Sequence, residues 1–180
     1  MAAMWVFGYG SLIWHPGFAV AESQVARLAG WQRSFCMLSI HYRGSETDPG
    51  LVLALDRADA FSAHAFCDGV AFRVEPGAEA ASHAALRERE LISAAYLEVT
   101  LPVTLRDGRD VEALCYVINR DHAQYCRLEL DEQARIIAHA VGKRGTNRDY
   151  LFATVEHLDQ LGIADADLGR LATQVKSLIT

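Results

Sequence analysis

Alternating apolar and polar positions divide this chain into a strand-rich first two thirds and a helical last third. The run WVFG at 5–8 is wholly apolar, as expected of a short strand buried on both faces. Alternation then marks strands at 25–31 and 33–40, and again at 51–55 and 69–74. Between the last two lies DRADAFSAHAFCD, at 56–68, which predicts a surface loop of unusual length. An Ala-, Leu- and Glu-rich stretch predicts a helix over 78–92. Two further strands, 97–105 and 111–118, flank RDGRD, whose Asp107-Gly108 pair is a strong hairpin signal. In the last third, Asp131 can cap one helix and Thr146 a second that Gly162 stops, leaving Asp165 or Asp167 to start the last. Six or seven mostly antiparallel strands, one inserted helix and C-terminal helices make an α+β chain, and a small closed or partly closed barrel would hide the strand edges. No repeat or linker interrupts it, so one domain over 1–180 is the expectation.

Composition excludes several function classes. The 180 residues are 51% hydrophobic and 22% charged, an ordinary globular balance. A net charge of −6 without any run of Lys or Arg offers nothing to a polyphosphate, so nucleic acid is not an expected partner. No apolar run approaches the ~20 residues that span a bilayer, and the first residues lack the features of a signal peptide. A cytoplasmic protein with no membrane partner is therefore expected. Cys36, Cys67, Cys115 and Cys126 stand in apolar contexts without CxxC spacing, and read as reduced core thiols. The seven histidines form no HExxH pair, so no metal site is expected.

Three segments carry candidate chemistry. In WVFGYGSLIW, at 5–14, two glycines bracket a tyrosine directly after a strand. The third glycine of a dinucleotide fingerprint is absent, as is the Gly-x-Ser-x-Gly of a nucleophile elbow, so neither a nucleotide cofactor nor an acyl-enzyme serine is indicated. Two readings remain: backbone amides presented to a closely approaching anion such as a carboxylate, or a tight turn whose glycines supply positive φ. In LRERELISAAY, at 86–96, the four charges suit a solvated face, yet helical rotation sets Ala81, Ala84, Ala85, Leu91 and Ile92 on one stripe with Glu88 in its middle and Glu90 opposite. Periodicity thus nominates Glu88 as a buried, proton-shuttling acid. In GKRGTNRDYLFATVEHL, at 142–158, a glycine-flanked basic turn has no phosphate-loop spacing; it is either a carboxylate site or a plain helix–helix connection.

Taken together these segments resemble the ChaC family of γ-glutamylcyclotransferases over nearly the whole chain. WVFGYGSLIW is similar to the family's opening signature. RSFCMLSIHYRG, PGLVLAL and GVAFRV resemble its second block, the Arg-Glu of REL with the following Tyr96 resembles its acidic motif, and GTNRDYLFATVEHLDQLGI resembles its C-terminal signature around Asn147 and Tyr150. The resemblance implies a γ-glutamylcyclotransferase-like small barrel with helices around it. It also implies an activity, conversion of glutathione to 5-oxoproline and cysteinylglycine without metal or cofactor. The opening loop, Val6, Phe7, Gly8, Tyr9, Gly10, Ser11 and Leu12, would hold the γ-glutamyl group, with Arg43 and Tyr150 as further contacts. The catalytic acid it implies is Glu90, in conflict with the rotation that favours Glu88.

This chain departs from the family pattern at Ala94-Ala95, where glycine is usual, and in the long 57–68 loop. Two other functions stay open on the sequence: a cyclotransferase for other γ-glutamyl compounds, and a silent γ-glutamyl-binding module. The oligomeric state is not legible.

Overall fold

The structure is a computed structural model, and it describes residues 2–58 and 64–180. Its contacts group into two compact units, 1–34 with 54–122, and 35–53 with 123–180.

The first unit is built on a closed ring of strands. β1 (Trp5–Gly8) pairs antiparallel with β5 (Phe66–Val74), placing Val6 opposite Phe72. β5 continues to β2 (Val20–Ala29), which meets β6 (Tyr96–Leu105), and β6 forms a long hairpin with β7 (Asp110–Ile118). Parallel pairing of Trp5 and Val6 with Ala113 and Leu114 of β7 closes the ring on β1. Closure removes the exposed edge that a short apolar strand such as β1 would otherwise present. β4 (Gly50–Arg57) adds to β7 in parallel at Leu55, and β3 (Trp31–Ser39) lies beyond it in the sheet order.

The predicted strands are present, with ends moved by tertiary pairing. β2 starts at Val20 because its polar first half, where alternation is weak, is held by the ladder to β5 across a register shift between Val20 and Glu22. β4 runs to Arg57 and β5 starts at Phe66, so the strands take both ends of the expected long loop, whose residues 59–63 lie outside those described. Asp107-Gly108 turns the β6–β7 hairpin, with Gly108 at φ +94°.

The inserted helix, α1 (Glu79–Glu90), corrects the rotation drawn from the sequence. Ser82 and Leu86 are its buried positions, whereas Ala81, Ala84, Ala85 and Glu88 face solvent. The alanines form the broader apolar stripe, but each has little surface to hide. One leucine is worth more in burial than any one of them, and Leu86 packs against Val6, Leu12, Val74 and Tyr116. Leu91 and Ile92 fall after the helix end, so they never join the stripe.

The second unit carries the remaining helices. α2 (Leu130–His139) begins one residue before the expected cap; Glu129 stands at the N-cap without a side-chain bond, and Asp131 lies in the first turn. There its charge still favours the helix N-terminus. Thr146 caps α3 (Asn147–Gln160), its hydroxyl accepting from Asp149 N–H, and Gly162 follows at φ +71°. Asp165 caps α4 (Ala166–Ile179) by accepting from Leu168 N–H.

The expected basic turn between α2 and α3 is a tight hairpin of β8 (Val141–Gly142) and β9 (Gly145–Thr146). A Cβ on Gly142 would lie 2.3 Å from the Tyr42 carbonyl carbon and 2.4 Å from Arg43 N. Lys143 and Arg144 donate their N–H groups to the carbonyls of His41 and Tyr42, both at 2.9 Å. The segment is thus a backbone clasp around 41–43 more than a connector.

Candidate functional site

The opening loop turns on a short 3-10 segment, Ser11–Ile13, closed by Ile13 N–H donating to the Gly10 carbonyl at 2.9 Å. The N–H groups of Ser11 and Leu12 precede that first bond, so the turn does not use them. Neither Gly8 nor Gly10 has a positive φ, so the plain positive-φ reading of this loop does not hold. Gly8 is small for a packing reason: a Cβ there would meet Leu12 Cβ at 3.1 Å and Phe72 Cε2 at 3.2 Å. Val6 and Phe7 have no exposed surface, and their side chains are core.

The loop is held from several directions within the first unit. The buried Tyr9 phenol donates to the Tyr116 carbonyl at 2.7 Å. From β3, Arg33 Nε donates to the Tyr9 carbonyl at 2.6 Å while Nη2 donates to that of Asp68 at 2.5 Å. From the last turn of α1, Arg89 Nη2 donates to Ser11 Oγ at 2.9 Å and Nη1 to the His15 carbonyl at 2.5 Å. The remaining guanidinium nitrogen, Nε, stands 3.3 Å from Glu90 Oε1.

Glu90 is thus linked to the loop through Arg89, its side chain 16% exposed, while Glu88 is exposed. A second carboxylate, Glu98 of β6, also meets α1. Glu98 accepts from Arg87, from His83 and from the Tyr116 phenol at 2.9–3.1 Å. The Arg87 guanidinium first, then His83 and Tyr116, hold its carboxyl down at about 2. Tyr116, whose hydroxyl is engaged by Glu98 and which also feels the charge of Glu90, has its pKa raised, chiefly by burial. Glu98 is thus a fixed anion, unsuited to carrying protons near neutrality.

A pH-dependent stability follows from Glu98. Its folded value of about 2 lies below the ordinary 4.5, so its contribution is present above about 4.5 and fades as pH falls toward 2. Glu98→Gln is expected to lower Tm at pH 7, with the gap to wild type narrowing in melts taken at successively lower pH down to 3. A gap independent of pH would exclude this assignment.

Arg43 and Tyr150 lie together in the second unit. Arg43 Nη1 donates to the carbonyls of Arg144 and Thr146 at 3.0 and 3.2 Å, and the guanidinium carbon stands 5.4 Å from the Tyr150 ring centre. Burial lowers the pKa of Arg43. The Tyr150 hydroxyl accepts from Leu53 N–H at 3.4 Å, and its ring packs edge-on against Phe35. Asn147 is fully buried and holds Leu51 by both backbone groups, with Oδ1 accepting at 2.8 Å and Nδ2 donating at 2.7 Å.

Residues 4–178 match the profile of the ChaC-like proteins. The chain belongs to the ChaC family. It is 35% identical over 180 residues to the glutathione-specific γ-glutamylcyclotransferase of Escherichia coli K12, covering 98% of this chain and 74% of that one. It is 31% identical to human glutathione-specific γ-glutamylcyclotransferase 1, covering 89% and 72% of the two chains. In fold, it matches the crystal structure of a yeast γ-glutamyl cyclotransferase specific to glutathione with a TM-score of 0.88, at 22% identity and over 98% and 97% of the chains. This ChaC chain thus has the γ-glutamylcyclotransferase-like barrel expected from its motifs.

The Ala94-Ala95 pair, where this chain departs from the family pattern, sits between α1 and β6, where Asn119 fastens it. Asn119 Nδ2 donates to the Ala94 carbonyl at 2.9 Å and its N–H to that of Ala95 at 2.8 Å. Sequence reading missed Arg33, Arg89 and Tyr116 as the groups that hold the loop. Arg33 and Arg89 stood inside the quoted motifs, but nothing local indicated that their partners lay 24 and 78 residues away.

Proposed function

We propose that this ChaC protein cleaves glutathione to 5-oxoproline and cysteinylglycine, with Glu90 moving the protons. The observation that carries the reading is the meeting of Glu90, through Arg89, with the Ser11 turn of the family's opening loop.

The γ-glutamyl group of glutathione contains both reactants. Its α-amine lies the right number of atoms from the γ-carbonyl to close a five-membered ring, and holding that conformer can supply effective molarities on the order of 10⁵–10⁸ M. The α-amine is mostly ammonium at neutral pH, given a reference pKa of about 7.7–8. Glu90 accepts its proton, the nitrogen attacks the γ-carbonyl carbon, and the tetrahedral intermediate collapses by breaking the bond to the cysteinyl nitrogen. That nitrogen receives the proton from Glu90, which returns to carboxylate, while the ring nitrogen gives up its second surplus proton to water or to the released amine, leaving the neutral lactam and cysteinylglycine. The cycle needs no enzyme nucleophile.

The amides of Ser11 and Leu12 suit the substrate α-carboxylate or the developing oxyanion, where one preorganised donor is worth about 3–4 kcal/mol. Tyr9 shapes the loop from below, through its bond to the Tyr116 carbonyl. Val6 and Phe7 act through the core, and Arg43 and Tyr150 are assigned to supporting the second unit.

Purified protein incubated with glutathione is expected to release 5-oxoproline and cysteinylglycine in equal amounts, followed by chromatography of both products. Tight glutathione binding without either product would favour the silent binding module. Faster release of 5-oxoproline from another γ-glutamyl compound would reassign the substrate.

A further inference from the structure

We infer that Arg89 is a positioning residue that fixes the Glu90 carboxylate to the substrate loop, an inference that rests on the function proposed above. Neighbouring residues on a helix point about 100° apart and do not ordinarily meet. Arg89 and Glu90 nonetheless approach to 3.3 Å between Nε and Oε1. They can do so because the helix ends at Glu90 and because the other two nitrogens of Arg89 are anchored outside it.

Those anchors are the Ser11 hydroxyl at 2.9 Å and the His15 carbonyl at 2.5 Å, one within the 3-10 turn and one just after it. The chain then passes the guanidinium closely at Gly17, whose φ is +76° and whose Cβ, if present, would lie 3.6 Å from Nη1. The side chain of Arg89 is 20% exposed, so its fork is largely withdrawn from water. A planar guanidinium with three engaged nitrogens sets the distance and angle between the acid and the loop. An ammonium is a point charge and cannot hold all three partners in one plane.

The consequence is catalytic geometry without contact with the reacting atoms. Displacing a proton-transferring group by about 1 Å can cost roughly 10²-fold in rate. A role confined to folding would instead lower stability and leave the turnover of the folded fraction unchanged.

The test compares Arg89→Met, Arg89→Lys and Glu90→Gln in steady-state assays on glutathione, with Tm measured for each. Arg89→Met is expected to lower kcat by about 100-fold with KM changed by less than about threefold. Arg89→Lys, which keeps the charge and serves if the methionine variant does not fold, is expected to lose about tenfold in kcat. Wild-type kcat in either variant, or loss only in proportion to the unfolded fraction, overturns the inference. If Glu90→Gln itself keeps wild-type turnover, the assignment of Glu90 falls, and this inference with it. Loss in Glu90→Gln alongside full kcat in Arg89→Met sinks the inference alone.

Discussion

Glu90→Gln is expected to lower 5-oxoproline release from glutathione by at least about 10²–10⁴-fold, the usual contribution of general acid–base catalysis. The amide keeps the size of the carboxyl and an oxygen for Arg89 Nε, but it cannot accept a proton at neutral pH. Gln matches the carboxyl in shape at a position 16% exposed at the helix end, so the cost is the weakened ion pair to Arg89. Such a pair is worth at most about 1 kcal/mol, so Tm should move by no more than about 2–4 °C for a chain of this size. Glu88→Gln is the control: the exposed neighbour that periodicity favours should retain wild-type turnover. Product assays on the two variants separate the candidates, and the reverse result would move the acid to Glu88.

Asn147→Leu is expected to be the most destabilising single change in the second unit. Asn147 has no exposed surface, and its amide satisfies both the N–H and the carbonyl of Leu51 on β4. Leucine has the same branched outline, with bulkier methyls, but leaves both groups buried without that partner. Each such loss costs about 1–3 kcal/mol, or about 2–6 kcal/mol together, against a typical total of about 5–15 kcal/mol. At roughly 2–4 °C per kcal/mol, Tm should fall by about 4–24 °C. Close packing sharpens the effect, since a Cβ on Gly50 would already lie 2.8 Å from Asn147 Oδ1. Thermal melts followed by circular dichroism would check it, and a Tm within 2 °C of wild type would show that Leu51 finds other partners.

These two residues illustrate how legible the site was. Glu90 and Asn147 both stand in motifs that the sequence displays. Glu90 could be singled out only through family resemblance, because helix rotation pointed to Glu88. The rotation failed for an identifiable reason: it counted apolar positions equally, although Leu86 buries far more surface than Ala81, Ala84 or Ala85. Asn147 stood out by its motif, yet its role came from Leu51, 96 residues away. The basic turn at 142–145 posed a choice between ligand site and connection, and the structure adds a role that no local pattern announced, a clasp on the backbone of Tyr42 and Arg43.

What the sequence determined by itself was local. Alternation placed the strands, Asp107-Gly108 set the hairpin, and Thr146 and Asp165 capped their helices, because each depends on groups within a few residues of one another. The tertiary structure alone decided which face of α1 is buried, that β1 closes the ring against β7, and that Arg89 reaches from Glu90 to Ser11. Those outcomes depend on surfaces brought together from distant parts of the chain, where burial of one large side chain or pairing of one edge outweighs local preference.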